Sequence, residues 1–184
     1  CEPRMLYENY KGESTKFTMC LELIETLKEN GKKVLLFSSF TSIFDSFIEE
    51  FKQRGIKYHM ITGAVDKKKR KEEVDAFQSD DSDVFLISLK AGGTGLNLTK
   101  AQAVIHYDPW WNVSAQNQAT DRAYRIGQTK NVLVYQLLMK NTIEAKIYEM
   151  QKRKKEMSDI FVENSNGGIS TLSKEELRDL FSME

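Results

Sequence analysis

The sequence has no excess of charge of either sign, few cysteines and no long apolar run. Its 27 basic and 27 acidic residues cancel, so any attraction for a polyanion must come from the local placement of cations. Two cysteines, Cys1 and Cys20, are too few for a disulfide framework and favour a reducing compartment. No apolar run approaches the roughly 18 residues that a membrane span needs, and nothing resembles a signal peptide. We therefore expect no membrane partner.

Two common kinds of ligand site are also missing from the sequence. A phosphate-binding P-loop of the form G-x-x-x-x-G-K-[ST] does not occur, because Lys32 is followed by neither serine nor threonine and Gly31 has no glycine at the required distance before it. The two histidines, His59 and His106, fall in strand patterns with no cysteine or carboxylate cluster around either. We predict no metal site.

The composition and the periodicity are those of a soluble α/β domain. Apolar residues make up 40% and charged residues 29% of 184 residues, and a domain of this length buries about 70% of its unfolded surface. Short apolar runs predict strands at residues 34–37, 58–61, 84–87, 104–107 and 132–138. Helical spacing predicts intervening helices at residues 17–27, 43–51 and 66–77, with Gly31 and Gly55 as stops. Alternating strands and helices predict a parallel sheet with right-handed crossovers.

The pattern changes after residue 138. Residues 143–161 predict one long charged helix, and residues 164–168 a flexible linker. Ser173 and Glu176 form a capping box that opens a last short helix. This region is predicted to be an amphipathic appendage to the α/β domain.

Two motifs carry most of the functional information. Residues 88–99, SLKAGGTGLNLT, form a glycine-rich turn after a strand, where backbone N–H groups can approach a phosphate or a sugar. Residues 118–128, QATDRAYRIGQ, put Gln118, Arg122 and Arg125 at i, i+4 and i+7 on one helix face. Two guanidinium groups on one face suit a polyanion such as a triphosphate.

Each motif also has a plainer interpretation. The glycine-rich segment could be an ordinary loop or a dinucleotide-binding fingerprint, although Leu98 replaces that fingerprint's third glycine and a strand follows in place of a long helix. The arginines could be surface charges, and Asp121 could pair with Arg125 for only about 0.3–0.5 kcal/mol. The adjacent Trp110 and Trp111 could be one buried ring and one half-exposed anchor.

The two motifs together resemble motifs V and VI of superfamily-two helicases, in the wording of the SWI/SNF-type DNA-translocating ATPases. Residues 34–42 are similar to motif IV of that family, and residues 61–66, with Arg70 and Phe77, to its next block. The segment DPWWN at residues 108–112 is similar to the lead into motif VI, and residues 142–147 and 172–177 to the C-terminal extension. The resemblance runs from about Thr15 to the end and implies a RecA-like parallel sheet flanked by helices.

The resemblance implies a second motor lobe without its first. We expect residues 1–14 to be a linker from a preceding part of the protein, residues 15–140 the second RecA-like lobe, and residues 141–184 a helical brace. The absent first lobe would hold ATP and Mg²⁺, so the isolated lobe is expected to be inactive. The acidic residues Asp80, Asp81 and Asp83 precede a strand, unlike the magnesium-binding pair of a first lobe, and we interpret them as a solvated loop. Cys1 in place of methionine agrees with a chain cut from a longer protein.

Roles for individual residues follow from the resemblance. It implies catalytic arginine fingers at Arg122 and Arg125, nucleotide contacts at Gly93, Gly95, Asn97 and Gln118, DNA-backbone contacts at Ser38, Arg70, Lys90, Gly92 and Thr94, and coupling through Asp108, Trp110 and Trp111. Serine at position 39 replaces the family's usual glutamine, which leaves Ser38 as the better DNA candidate. Arg70 lies in the basic run of residues 67–71, which is either a solvated face or a phosphate contact.

The expected function is that of the second lobe of an ATP-dependent translocase on double-stranded DNA. Its partners would be double-stranded DNA and the N-terminal RecA-like lobe, in a bacterial cytoplasm or a nucleus. A catalytically silent interaction or DNA-binding module is one alternative. A Rossmann-type nucleotide-binding enzyme is the other, and the missing third glycine argues against it.

Overall fold

A computed structural model describes residues 14–63, 65–92, 96–109, 120, 121, 123 and 131–165. Along the chain, these residues form α1 (Thr15–Glu29), β1 (Lys33–Ser38), α2 (Ile43–Arg54), β2 (Tyr58–Ile61), α3 (Lys67–Ser79), β3 (Val84–Ser88), α4 (Leu89–Gly92), β4 (Ala101–His106), β5 (Leu133–Gln136) and α5 (Ile143–Ser165).

The five strands form one sheet in the order β2-β3-β1-β4-β5, and every neighbouring pair is parallel. The predicted α/β class is therefore confirmed. Strand β4 begins earlier than its apolar run predicted, because Ala101 already pairs with Lys33 of β1. Strand β5 is shorter than predicted, because its register pairs only Leu133 to Gln136 with β4.

The sheet separates two apolar layers. Leu36 and Ile105 contribute to a cluster with α1 and α2 on one face, which includes Phe47. Leu35 and Phe37 point the other way, into a cluster with residues of α3 and the segment around Ala123. Neighbouring strand residues point to opposite faces, so a strand covered on both sides must be apolar at every position. This explains the continuous apolar runs of β1 and β3.

The helix ends follow from local chemistry. The side chain of Ser14 caps α1 by accepting from Phe17 N, and that of Asp66 caps α3 by accepting from Lys69 N at 2.9 Å. Gly55 ends α2 at φ 61, in the left-handed region that a residue without a Cβ adopts at little cost. The predicted stop at Gly55 is thus confirmed, and α3 begins one residue after the predicted start at Asp66.

The amino-terminal edge of the sheet carries an ion-pair network, which the interpretation of Asp80, Asp81 and Asp83 as a solvated loop missed. Asp80 is 2.6 Å from His59 Nε2 and 3.4 Å from Lys33 Nζ, and Asp83 accepts from the backbone N–H of Lys57 at 2.8 Å. Asp80 and Asp81 both remain exposed, and Asp81 pairs with Lys57 in solvent. The chain turns back to the start of β3 here, which brings the acidic residues onto cations that begin the neighbouring strands.

The expectation that His59 has no carboxylates around it is also wrong. Its Nδ1 lies 2.7 Å from Glu73 and its Nε2 2.6 Å from Asp80. Burial lowers the pKa of His59, but the hydrogen bonds to Asp80 and Glu73 outweigh burial and raise it above its ordinary value. Each ring nitrogen faces a different carboxylate, an arrangement suited to a doubly paired imidazolium.

The described ranges contain neither a membrane-spanning helix nor a metal-binding cluster. None of the helices described there is long and apolar enough to cross a membrane. No group of three or more histidine, cysteine, aspartate or glutamate side chains in those same ranges could hold a metal ion.

Candidate functional site

The carboxyl edge of the sheet contains a switch point between β1 and β4. From β1 the chain runs through α2 to β2 on one side, whereas from β4 it runs to β5 on the other. In open α/β sheets, ligands bind outside the carboxyl ends of strands at such a point. Ser38 ends β1 and Asp108 follows β4. Both are predicted site residues, and they are hydrogen-bonded to each other at this switch point.

Asp108 joins the ends of these two strands. Its carboxylate accepts from Ser38 Oγ at 2.9 Å, from the backbone N–H of Ser39 at 2.8 Å and from Ser39 Oγ at 2.5 Å. The residue is only 5% exposed. Burial raises the pKa of Asp108, and the hydrogen bonds from Ser39 and Ser38 offset that rise only in part. Asp108 therefore holds the segment after β1 against the segment that leads to Trp110 and Trp111.

The structure places Ser38, a predicted DNA contact, in the hydrogen-bond network at the end of β1. The residue is fully buried, and its hydroxyl lies within hydrogen-bonding distance of Asp108 and of the carbonyl oxygen of Phe40. The hydroxyl of Ser38 therefore helps to hold the carboxylate of Asp108. Phe40, in contrast, is 56% exposed at the same edge, and sequence reasoning did not single it out.

A buried ion pair joins the start of α5 to α1 beside this edge. Lys16 Nζ lies 2.8 and 2.7 Å from the two carboxylate oxygens of Glu144, and their side chains are 3% and 6% exposed. The ammonium group also lies 4.8 Å from the ring centroid of Tyr107, next to Asp108. Burial raises the pKa of Glu144, but donors that include Lys16 Nζ and the backbone N–H of Met139 lower it below its ordinary value.

No local pattern in the sequence pointed to this pair. Lys16 lies in the first turn of an amphipathic helix and Glu144 in the first turn of a charged one, where charged residues are common. The two are separated by 128 positions. The pair holds the start of α5 against α1.

The predicted DNA-contact residues that the structure describes lie toward the carboxyl edge. Arg70 is half-buried in the first turns of α3, just after β2, and donates from Nη2 to the carbonyl oxygen of Val65 at 3.2 Å. Lys90 and Gly92 belong to α4, one helical turn where the sequence predicted a turn directly after β3. Asn97 is exposed. Gly93, Thr94 and Gly95 lie outside the described residues.

Charge is distributed unevenly between the two edges of the sheet. At the amino edge, Lys28, Lys33 and Lys57 each have a carboxylate partner. At the start of α3, Lys67, Lys68 and Lys71 are exposed, and none of the three has a carboxylate in ion-pair distance within the described part of the chain. Among the described residues, the start of α3 is thus one place at the carboxyl edge where several lysines lack a carboxylate partner.

The residues Trp110, Trp111, Gln118, Arg122 and Arg125 lie outside the described residues. Three neighbours of the predicted arginine fingers are described. Ala123 is fully buried in the cluster that contains Phe37, the hydroxyl of Thr120 lies 2.9 Å from His106 Nε2, and Asp121 is exposed. Ala123 thus packs on the same sheet face as α3.

Comparison with known proteins identifies the family. The model of the helicase conserved C-terminal domain matches residues 15–127. The chain belongs to this family. It is 44% identical over 170 residues to an uncharacterized ATP-dependent helicase of Mycoplasma pneumoniae, and 40% identical over 158 residues to the chromatin-remodeling ATPase INO80 of Candida albicans. These matches cover 91% and 85% of this chain, but the chain spans only 16% and 11% of the two relatives.

A solved structure supports the same assignment. The crystal structure of the C-terminal part of the Fun30 ATPase domain superposes with a TM-score of 0.71 at 36% identity. The match covers 74% of this chain and 45% of that one. The predicted resemblance to the second, RecA-like lobe of SWI/SNF-type helicases is confirmed. The roles of individual residues in this family member remain predictions.

Proposed function

We propose that this chain is the second motor lobe of an ATP-dependent translocase on double-stranded DNA. The observation that carries the proposal is that a helicase C-terminal family match extends over residues 15–127, with the motif-bearing segments around β1, β3 and β4 converging on one sheet edge. The chain lacks a P-loop, so ATP and Mg²⁺ would be held mainly by an N-terminal RecA-like lobe. The second lobe, formed by this chain, would close over the bound nucleotide.

The chemical contribution of the lobe would be electrostatic. Arg122 and Arg125 would approach the γ-phosphate across the cleft between the lobes and stabilise the charge that develops during phosphoryl transfer. In related systems an arginine finger is worth about 10³–10⁵ in rate, which corresponds to about 4–7 kcal/mol. Gln118 and the segment with Gly93, Gly95 and Asn97 would contact the nucleotide. Because the arginines act only in the closed state, hydrolysis would be tied to closure and product release to reopening.

The carboxyl edge would grip the DNA backbone. Arg70, Lys90, and the backbone of Gly92 and Thr94 would hold phosphates, and the exposed lysines at the start of α3 support a cationic surface there. Contacts with phosphates fix position and carry no sequence information. We therefore expect movement along double-stranded DNA without base specificity.

Coupling between the two ligands would pass through the Asp108 segment. Asp108 contacts Ser38 and Ser39 of motif IV and is followed by Trp110 and Trp111, which lead to the arginine segment. A displacement of motif IV would therefore also displace the segment that follows Asp108, and the reverse. This supports a relay role for Asp108, Trp110 and Trp111.

The proposed location is a compartment with DNA and a reducing environment, either a bacterial cytoplasm or a nucleus. Cys20 is fully buried in α1, and burial raises the pKa of its thiol well above the ordinary value. A buried neutral thiol is inert and serves as a small apolar side chain. The buried thiol of Cys20 is compatible with a reducing compartment, because it requires no oxidising environment.

The proposal is tested by comparing this chain with a two-lobed protein that contains it. The 184-residue chain should hydrolyse ATP no faster than background, and the two-lobed protein should show ATP hydrolysis stimulated by double-stranded DNA. In the two-lobed protein, Arg125→Ala should lower kcat by orders of magnitude with little change in DNA affinity. Asp121→Ala is the matched control, because Asp121 is exposed on the same segment. Turnover by the 184-residue chain that Arg125→Ala abolishes would refute the split site.

A catalytically silent module would give a different result. It would bind DNA, but Arg125→Ala and Asp121→Ala would be indistinguishable in ATP hydrolysis by the two-lobed protein. A Rossmann-type enzyme would instead bind a dinucleotide to the 184-residue chain alone.

A further inference from the structure

Lys16 is a buried cation that acts on two buried carboxylates. Its ammonium group lies 2.8 and 2.7 Å from the two carboxylate oxygens of Glu144. The same group lies 4.8 Å from the ring centroid of Tyr107, the residue that precedes Asp108. The positive charge of Lys16 lowers the pKa of Asp108, against the larger upward effect of burial. This attraction acts through space, because the hydrogen bonds of the ammonium group go to Glu144.

The titratable side chains that face this ammonium group come from three parts of the fold. Glu144 lies on α5, Tyr107 and Asp108 follow β4, and Cys20 lies on α1. Burial raises the pKa of the Cys20 thiol, which is therefore neutral, and Tyr107 presents the face of its ring. The charged partners of Lys16 among the described residues are thus the carboxylates of Glu144 and Asp108.

The contacts of Asp108 are those of an ionised carboxylate. An ionised carboxylate only accepts hydrogen bonds, whereas a protonated one carries a donor of its own. The two oxygens of Asp108 lie 2.8 and 3.0 Å from the backbone nitrogen of Ser39, and each also accepts from a hydroxyl, that of Ser39 or that of Ser38. Hydrogen bonds to an ionised acceptor are roughly twice as strong as neutral ones. Protonation of Asp108 would therefore weaken its hold on Ser38 and Ser39.

These contacts set the course of the β1–α2 loop, residues 39–42. The hydroxyl of Ser38 accepts from the backbone N–H of Phe40 at 3.1 Å while it donates to Asp108. The carbonyl oxygen of Phe40 accepts in turn from the backbone N–H of Ile43, the first residue of α2, at 3.3 Å. Residues 40–42 are exposed, so their side chains supply little packing. The position of the loop therefore depends on hydrogen bonds that end at Asp108.

We propose that Lys16 is a positioning residue for the β1–α2 loop and acts through the charge of Asp108. Glu144 opposes this action, because its carboxylate attracts the same ammonium group and repels a second negative charge. Glu144 lies in the first turn of α5, so the docking of α5 on α1 is coupled electrostatically to the loop at the end of β1. The inference concerns the folded chain itself. The proposed function adds only that this loop lies at the edge that faces DNA.

Substitution of the two partners of the ion pair should have opposite effects on Asp108. Lys16→Met removes the attractive charge and should shift the titration of Asp108 to higher pH. Glu144→Gln removes the repulsive charge and leaves the charge of Lys16 to Asp108, so the titration should shift to lower pH. Both substitutions break the same ion pair. A purely structural effect of that pair would therefore move both variants in the same direction.

The experiment is an NMR titration of the 184-residue chain without DNA or nucleotide. It follows the carboxyl carbon of Asp108 and the backbone N–H of Ser39 over the pH range in which each variant stays folded. Asp108→Asn identifies the inflection that belongs to Asp108, because an amide does not titrate in this range. Lys57→Met is the matched control for the loss of a lysine, since Lys57 pairs with Asp81 in solvent, and it should leave the titration of Asp108 unchanged.

The double substitution Lys16→Met with Glu144→Gln keeps the test decisive if Lys16→Met alone does not fold. It leaves no stranded charge from the pair, and its comparison with Glu144→Gln isolates the charge of Lys16 in chains that both lack the ion pair. The double variant should titrate Asp108 at higher pH than Glu144→Gln does. Equal titrations in these two variants would overturn the inference, as would shifts in the same direction for Lys16→Met and Glu144→Gln.

Hydrogen exchange tests whether the charge of Asp108 positions the loop. The protection factors of the backbone N–H groups of Ser39 and Phe40 should fall with decreasing pH at the midpoint of the Asp108 titration, and that midpoint should move with each variant. Protection that persists below the midpoint would refute the positioning role. ATP hydrolysis by the two-lobed protein tests the motor assignment separately, so failure of that assignment would leave the titration and exchange results unaffected.

Discussion

The buried pair of Lys16 and Glu144 offers a direct test of how the C-terminal helix is held. Lys16→Met keeps most of the apolar stem of the side chain and removes the charge, which leaves the carboxylate of Glu144 buried beside Tyr107. Breaking a buried ion pair by removing one partner costs about 3–5 kcal/mol, because the remaining charge is uncompensated. The exposures of 3% and 6% justify using the buried value. For a chain of this length, that loss corresponds to a fall in Tm of roughly 6–20 °C.

The assay is urea unfolding of the 184-residue chain, with hydrogen exchange of α5 as a local readout. Lys57→Met is the matched control, since Lys57 pairs with Asp81 in solvent and its loss should not be measurable. The double substitution Lys16→Met with Glu144→Gln should recover much of the loss, because it removes the stranded charge and keeps an acceptor for the N–H of Met139. Exchange should increase first in the turns of α5 nearest Glu144.

Two outcomes would refute the reasoning. The pair would be no stabilising anchor if Lys16→Met cost as little as Lys57→Met. The charge argument would fail if the double substitution were as unstable as Lys16→Met alone, because the loss would then come from packing.

Three further predictions concern the other edge, the DNA grip and the tail. The pKa of His59 is raised in the fold, so its ion pairs stabilise the fold fully below its unfolded pKa of about 6.5, and this stability is lost as pH rises through the raised value. Above that pH, the midpoint of urea unfolding should therefore fall less steeply with pH in His59→Gln than in the unsubstituted chain. The same pH profile in both proteins would refute the paired imidazolium. In the two-lobed protein, Lys90→Ala or Thr94→Ala should weaken DNA binding and reduce its salt slope by about one, with ATP chemistry retained at saturating DNA; a kinetic signature matching that of Arg125→Ala would show the roles to be misassigned. If residues 177–181 form a brace to the first lobe, they should be better protected from hydrogen exchange in the two-lobed protein than in the 184-residue chain. Equally strong protection in both proteins would refute the brace hypothesis.

Local regularities in the sequence were sufficient for the class of fold and the order of most elements. The runs at β1 and β3 were predictable because a strand buried on both faces must be apolar at successive positions. The helix limits at Gly55 and Asp66 were predictable because caps depend on the residue at one position. The family was recognisable because its motifs keep their residue types and spacing in the linear chain.

The sequence by itself determined the α/β class, the family and a set of candidate site residues. Only the tertiary structure decided which polar groups meet: Lys16 with Glu144, His59 with Glu73 and Asp80, and Ser38 with Asp108. In sequence, Lys16 and Glu144 are charged helix residues for which solvent is the simplest expected partner, and no local pattern links His59 to a carboxylate or Ser38 to Asp108. They meet because parallel strands pair residues that are distant along the chain, and because a group that loses water must find a protein partner. Strand order and register therefore decide which distant polar groups meet, and local periodicity carries no information about such contacts.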